Sequence, residues 1–329
     1  MDNSVARIQE LSAAVNALKA EIAKVIVGQE TVIDNILTAL FANGHVLIEG
    51  VPGLAKTLMI SSLAKSLSLS FSRIQFTPDL MPSDITGSDI LVSDSSTGKH
   101  GFEYLKGPVF ANIILADEIN RTPPKTQSAL LQAMQENTIT SGNKTWELQK
   151  PFIVMATQNP IEQEGTYPLP EAQLDRFMFY ITIDYPTYEE ELMIVENTTG
   201  GVMPTITSHL GAQEIIALQK VIRDLPVSDH VLKYAVELVR ASRPNSPDAD
   251  PEIKRWVSWG AGPRASQYLV LGAKAVAALS GRLSPSEEDV RQVAPIVLKH
   301  RILVSFAAEA EGINSAAIVE KLLHRKLQA

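Results

Sequence analysis

The segment Gly50-Val51-Pro52-Gly53-Leu54-Ala55-Lys56-Thr57 constrains this chain more than any other. It follows a short apolar run that reads as a strand and opens a run that reads as a helix. A strand, a glycine-containing turn and a helix in that order gather backbone N–H groups and a helix N-terminus around one point, a cradle suited to phosphate oxygens. Lys56 then reaches the β- and γ-phosphates of a nucleotide, Thr57 holds Mg²⁺, and Leu58 continues beside the bound nucleotide. The segment departs from G-x-x-x-x-G-K-[ST] at Ala55. A helical conformation at that point tolerates the added methyl group, so the expectation stays ATP with Mg²⁺, with hydrolysis driving a conformational change.

A second segment, Ile113-Ile114-Leu115-Ala116-Asp117-Glu118, is an apolar strand that delivers two carboxylates at its end. Asp117 is placed to contact Mg²⁺ through water, and Glu118 to orient and polarise an attacking water. A third, Met155-Ala156-Thr157-Gln158-Asn159-Pro160, ends in an amide that suits the γ-phosphate. Asn159 before Pro160 is also ordinary turn chemistry.

The rest of the chain fits a phosphate-binding α/β core. Apolar runs at residues 45–49, 71–76, 112–116, 152–157 and 178–183 alternate with helical patterns, which predicts a mostly parallel sheet covered on both faces. Val5, Ile8, Leu11, Val15, Leu18 and Ile22 recur at helical spacing after Asn3 and Ser4, both good cap residues. A second helix is expected over residues 30–42. Beyond residue 186 the pattern turns to helices without strands, at about 188–196, 212–222, 229–243, 264–280, 286–300 and 315–327, so we read residues 1–186 as a nucleotide-binding core and 187–329 as a helical lid domain. Alternation around two turn sequences predicts hairpins at about 87–107, turning at Ser95-Ser96-Thr97-Gly98, and 138–149, turning at Gly142-Asn143.

Composition narrows the function classes. With 29 Lys and Arg against 37 Asp and Glu, a net charge of −8 gives no general field for nucleic acid or an anionic membrane. The chain has no cysteine, hence no disulfide, thiolate metal site or thiol nucleophile. No apolar run reaches the about 18 residues of a membrane span. A soluble cytoplasmic protein is the expectation.

With these residues laid out, the sequence resembles the AAA+ ATPases, and within them the MoxR family. The resemblance is carried by the phosphate-loop segment, by Arg73-Ile74-Gln75-Phe76-Thr77-Pro78-Asp79-Leu80-Met81-Pro82-Ser83-Asp84, Ala116-Asp117-Glu118-Ile119-Asn120-Arg121 and Ala156-Thr157-Gln158-Asn159-Pro160, and by Pro170-Glu171-Ala172-Gln173-Leu174-Asp175-Arg176-Phe177, in family order. It implies a five-stranded core with a helical lid and ring assembly, as a hexamer, with nucleotide held between neighbouring subunits. Asn159 takes the sensor-1 role, Arg176 that of an arginine finger reaching the neighbour's γ-phosphate, and Arg264, in Gly260-Ala261-Gly262-Pro263-Arg264, the sensor-2 role on phosphate oxygens of its own subunit. Val27 and Gly28, in Ile26-Val27-Gly28-Gln29, match the segment that packs near adenine, although the side chains there do not separate adenine from guanine. The hairpins sit where the family carries insertions that face a pore or client.

The resemblance further implies chaperone-like remodelling or maturation of protein complexes, including cofactor or metal insertion, with a separate partner chain bearing a von Willebrand factor A domain. Three readings compete. A nucleic-acid-translocating motor shares the insertions, but the acidic balance opposes it. A small-molecule kinase shares the phosphate loop, but Glu118 and Arg176 suit transfer to water. A slowly hydrolysing nucleotide switch is the third.

Overall fold

The computed structural model describes residues 2–93, 100–141, 144–161, 165–200, 204–246 and 249–325. In chain order it comprises α1 (Asp2–Ala23), α2 (Glu30–Phe41), β1 (Val46–Glu49), α3 (Lys56–Ser66), β2 (Phe71–Gln75), α4 (Pro82–Thr86), β3 (Gly87–Ser93), β4 (His100–Lys106) and β5 (Ile113–Asp117). There follow α5 (Pro124–Glu136), β6 (Thr138–Ser141), β7 (Lys144–Glu147), β8 (Ile153–Gln158), α6 (Glu171–Leu174) and β9 (Phe179–Thr182). The remainder is α7 (Tyr188–Thr199), α8 (Ala212–Asp224), α9 (Asp229–Ala241), α10 (Pro251–Trp256), β10 (Val257–Trp259), α11 (Pro263–Leu279), α12 (Glu287–Leu298), β11 (Leu303–Val304), α13 (Phe306–Ala310) and α14 (Ser315–His324).

The five predicted apolar runs form one parallel sheet in the order β2-β5-β8-β1-β9. Successive side chains of a strand point to opposite faces, and the alternation sorts them into two buried clusters. Val46, Ile48, Ile113, Leu115, Ile153 and Met155 join one face. Leu47, Ile114, Ala116, Val154 and Ala156 join the other, under α4 and α5. The first cluster continues without a break through α1, α2 and α3 into α8, α9, α11 and α12.

The predicted stripe of α1 is buried from Ile8 onward, with Ile8, Leu11, Val15, Leu18 and Ile22 each at most 1% exposed, while Val5 is only half-buried. The helix begins at Asp2, so Asn3 and Ser4 lie inside its first turn rather than capping it. Both hairpins form, β3 with β4 and β6 with β7. Their turn sequences, Ser95-Ser96-Thr97-Gly98 and Gly142-Asn143, lie outside the described residues.

The expectation of helices alone after residue 186 needs one correction. β10 and β11 form a short antiparallel ladder that links Trp256–Trp259 to Leu303–Ser305 across the helical region. Strands of three and two residues are too short to show alternation, and their pairing partner is remote in sequence.

Candidate nucleotide site

β1 ends at Glu49, and the chain turns at once into the loop. Gly50 donates its backbone N–H to the Gln158 carbonyl at 3.2 Å. A Cβ at Gly50 would stand 3.1 Å from the Ile183 carbonyl oxygen and 3.2 Å from the Ile183 Cβ, so glycine here lets the chain leave β1 beside the end of β9. Gly53 has φ 89° and Ala55 has φ 52°, both in the left-handed region. The expected helical conformation at Ala55 is therefore corrected: this residue precedes α3 with the backbone turned left-handed, where a methyl side chain is strained. α3 opens at Lys56 with no side-chain cap on its first N–H groups. Those donors face the loop and are available to an anion.

Lys56 is half-buried, and its Nζ donates to the Gly50 carbonyl at 2.5 Å, folding back over the loop. Burial lowers its pKa, opposed by the charges of Asp117 and Glu118. Thr57 is half-buried in the first turn of α3, with Leu58 exposed behind it.

Asp117 ends β5 and Glu118 follows it at φ 57°, before a 3-10 turn at Ile119–Arg121. Four residues given no role by sequence reasoning hold these two carboxylates. Thr157 Oγ1 donates to Asp117 Oδ1 at 2.6 Å and accepts from the Glu118 N–H at 2.8 Å. Arg73 donates to Asp117 Oδ2 through Nε at 3.0 Å and Nη2 at 2.6 Å. Gln75 Nε2 and Arg121 Nη1 each donate to Glu118 Oε2 at 2.8 Å. Arg73 and Gln75 lie two apart on β2, which pairs with β5 in a register that sets Gln75 opposite Asp117. Polar residues spaced by two at the end of an otherwise apolar strand are the signal that identifies them.

β8 brings Asn159 beside the loop, since Gln158 pairs with Glu49. Asn159 Oδ1 accepts from the Ile161 N–H at 3.1 Å, the turn chemistry expected before Pro160, and the residue is buried. An apolar cleft lined by Ile26, Val27, Leu54, Leu58, Met59 and Ile194 opens next to the loop. Gly28 is not on its wall. It has φ 67°, and a Cβ there would fall 2.2 Å from Glu190 Oε1, so this glycine lets the turn before α2 rest against the capped start of α7.

Lys56, Thr57, Asp117, Glu118 and Asn159 thus gather at the C-terminal edge of the sheet. Arg176 and Arg264 do not. They line a pocket with Asn43, Gly44 and His45, the residues that lead into β1. Arg264 Nη1 donates to Asp175 Oδ2 at 2.9 Å. The expected contact of Arg264 with phosphate on its own loop is therefore corrected: the four residues of β1 separate them, about 13 Å of strand. The helical region packs α11 so that its first turn meets the N-terminal edge of β9.

A phosphate loop beyond the first strand of a parallel sheet, an acidic strand end beside it and an appended helical region define a P-loop ATPase-type fold. Residues 45–179 match the ATPase family associated with various cellular activities (AAA), and residues 252–322 match the AAA lid domain. Chaperone MoxR1 of Mycobacterium tuberculosis is 42% identical over 316 residues, 95% of this chain and 82% of that protein. YeaC of Bacillus subtilis, an uncharacterised protein, is 44% identical over 301 residues, 91% of this chain and 90% of its own. The crystal structure of a candidate ATPase from Cytophaga hutchinsonii superposes with a TM-score of 0.92 at 41% identity, covering 99% of this chain and 98% of that one. The chain belongs to the MoxR family of AAA+ ATPases. Among the described residues no helix is long and apolar enough to cross a membrane.

Proposed function

We propose that this chain hydrolyses ATP in a ring of like subunits and uses the cycle to remodel or mature protein complexes. The carrying observation is the division of the site: Lys56, Asp117 and Glu118 stand at one edge of the sheet, and Arg176 with Arg264 at the other. A guanidinium a strand's length from its own loop serves phosphate only in a second copy. Sites completed in trans by arginine gain about 10³ to 10⁵ in rate in related phosphoryl transfers.

The residues present fit Mg²⁺-ATP. The Thr57 hydroxyl and the Asp117 carboxylate are hard oxygen donors, and phosphate oxygens and water complete the set such an ion takes. Among the described residues no cluster of three His, Asp or Glu could hold a metal without them. Mg²⁺, when bound, neutralises charge on the β- and γ-phosphates. Lys56 exchanges its bond to the Gly50 carbonyl for phosphate oxygens, which also restores its depressed basicity. Glu118 takes a proton from water as the new O–P bond forms at the γ-phosphorus, and the bridging oxygen leaves with ADP. The apolar cleft at Ile26 and Val27 covers the base.

Lys56→Ala should lose nucleotide binding or turnover. Glu118→Gln should retain ATP without hydrolysing it, read by filter binding and phosphate release. Normal turnover in Glu118→Gln would sink the assignment. Ring assembly as a hexamer, a separate partner with a von Willebrand factor A domain and a role in cofactor or metal insertion complete the proposal. Membership of the AAA+ family supports ring assembly and the name of the mycobacterial relative, a chaperone, supports the remodelling role; a Glu118→Gln ring held in its ATP state is the species on which partner binding is measured.

A further inference from the structure

The turn that carries Arg176 is fastened by side chains of the helical region. Four successive backbone carbonyls accept from them. Asp175 O accepts from Arg301 Nη2 at 2.9 Å, and Arg176 O from the Tyr268 hydroxyl at 3.3 Å. Phe177 O accepts from Arg301 Nη2 at 2.6 Å and lies 3.1 Å from His300 Nε2, while Met178 O accepts from Arg301 Nη1 at 3.3 Å. The Asp175 carboxylate is shared, one oxygen with Arg301 Nε at 2.8 Å and the other with Arg264 Nη1 at 2.9 Å. The Arg301 guanidinium also lies over the Tyr268 ring, 5.0 Å from its centroid.

Arg301 is 6% exposed, just past the end of α12. A buried charge is no economical way to stabilise a core, because apolar packing of similar volume does as well or better. What a guanidinium supplies is a rigid planar fork of five donors, which here meet the Asp175, Phe177 and Met178 carbonyls, the Asp175 carboxylate and the Val297 carbonyl of α12. By contrast, the Arg176 guanidinium has no hydrogen-bond or ion-pair partner among the described residues. Its backbone is clamped on both sides while its side chain is left to the pocket.

We propose that Arg301 is a positioning residue: it locks the 175–178 turn so that Arg176 is presented to the phosphate loop of a second copy of this chain. This rests on reading Arg176 as a group acting in trans. A displacement of about 1 Å in such a group costs on the order of 10²-fold in rate.

The test mixes subunits. Arg301→Gln keeps its own loop, Asp117 and Glu118, and should be slow in ATP hydrolysis with its affinity for a fluorescent ATP analogue unchanged. Mixed with Glu118→Gln, whose Arg176 is intact, it should regain activity; mixed with Arg176→Ala, which fails on the same face, it should not. Arg176→Ala with Glu118→Gln is the control. If the control gains nothing, the trans reading falls, and this proposal with it. If the control gains and Arg301→Gln with Glu118→Gln does not, or if lost nucleotide affinity accounts for the lost rate, the positioning role of Arg301 alone is overturned. Asp175→Asn removes both ion pairs and keeps the Arg301 bonds to the carbonyls. It should show the same pattern of rescue with a smaller loss, and it carries the same arms if Arg301→Gln does not fold.

Discussion

Ala55 and Glu118 are non-glycine residues in the left-handed region, at φ 52° and 57°, and both border the candidate phosphate site. Such a conformation costs an L-residue roughly 1–2 kcal/mol, whereas glycine adopts it freely but loses about 0.5–1 kcal/mol more entropy on folding. Ala55→Gly should therefore be neutral or stabilising by up to about 1 kcal/mol, and Ala55→Val, β-branched at positive φ, should destabilise. Thermal unfolding of the nucleotide-free protein distinguishes them; a clear loss in Ala55→Gly would contradict the strain. His45 carries a second residue-scale consequence. It is half-buried, with Nδ1 accepting from the Val154 N–H at 3.0 Å and Nε2 3.1 Å from the Met134 carbonyl, so the neutral ring ties β8 to α5. Burial pushes its pKa from 6.5 down to about 4. The unfolded chain binds a proton below pH 6.5 that the folded chain refuses until about pH 4. Stability contributed by the neutral ring is thus present above pH 6.5 and is lost as pH falls toward 4, by roughly 3 kcal/mol over the window. His300, enclosed and pushed well below its usual range by burial and by Arg301, acts in the same direction. Urea midpoints measured from pH 7 to pH 5 should fall, and His45→Gln should reduce the slope; a flat profile would contradict the buried neutral state.

At the scale of elements, α1 does more than open the chain. Its apolar stripe touches α3 on the sheet side and α8 and α11 of the helical region, within one continuous cluster. Leu18 is fully enclosed there, and Leu18→Ala should cost about 2–5 kcal/mol in unfolding free energy. Because that cluster spans both the sheet and the helices, the variant should lower a single unfolding transition. Two separated transitions in calorimetry would show that the helical region holds together without the core. The C-terminal end of α12 is a second joint. Lys299 donates to Thr182 Oγ1 at 2.7 Å near the phosphate end of β9, while Arg301 grips the residues before that strand. One turn of chain thus borders β9 from end to end.

For the whole molecule, Lys56 and Glu118 stand apart from Arg176 and Arg264, and the proposed function then predicts an activity that depends on assembly. Specific ATPase activity per chain should rise with protein concentration and then level off as interfaces fill, and Arg176→Ala should abolish the rise. Activity independent of concentration across the range where sedimentation shows dissociation to monomers would favour a site complete in one chain.

Much of the candidate site was legible because its chemistry is local. A loop joining a strand to a helix, two carboxylates closing an apolar strand and alternation within five short runs each depend on residues close in sequence, and strand alternation alone sorted Val46 from Leu47 to opposite faces. The conformation at Ala55 was misread because the loop's path, not the residue's own preference, sets its φ. Arg73, Gln75 and Thr157 gained their roles from strand order, which puts β2 and β8 on either side of β5. Arg264 was assigned to the wrong end of the sheet for the same kind of reason. The bond from Arg301 to Asp175 spans 126 residues. The sequence by itself determined what the residues of this protein can do to a phosphate. Only the packing of the helical region along β9 decided which of them stand beside the loop of their own chain and which stand at the far end of the sheet, because a side chain's reach is a few ångströms and the strand between is longer.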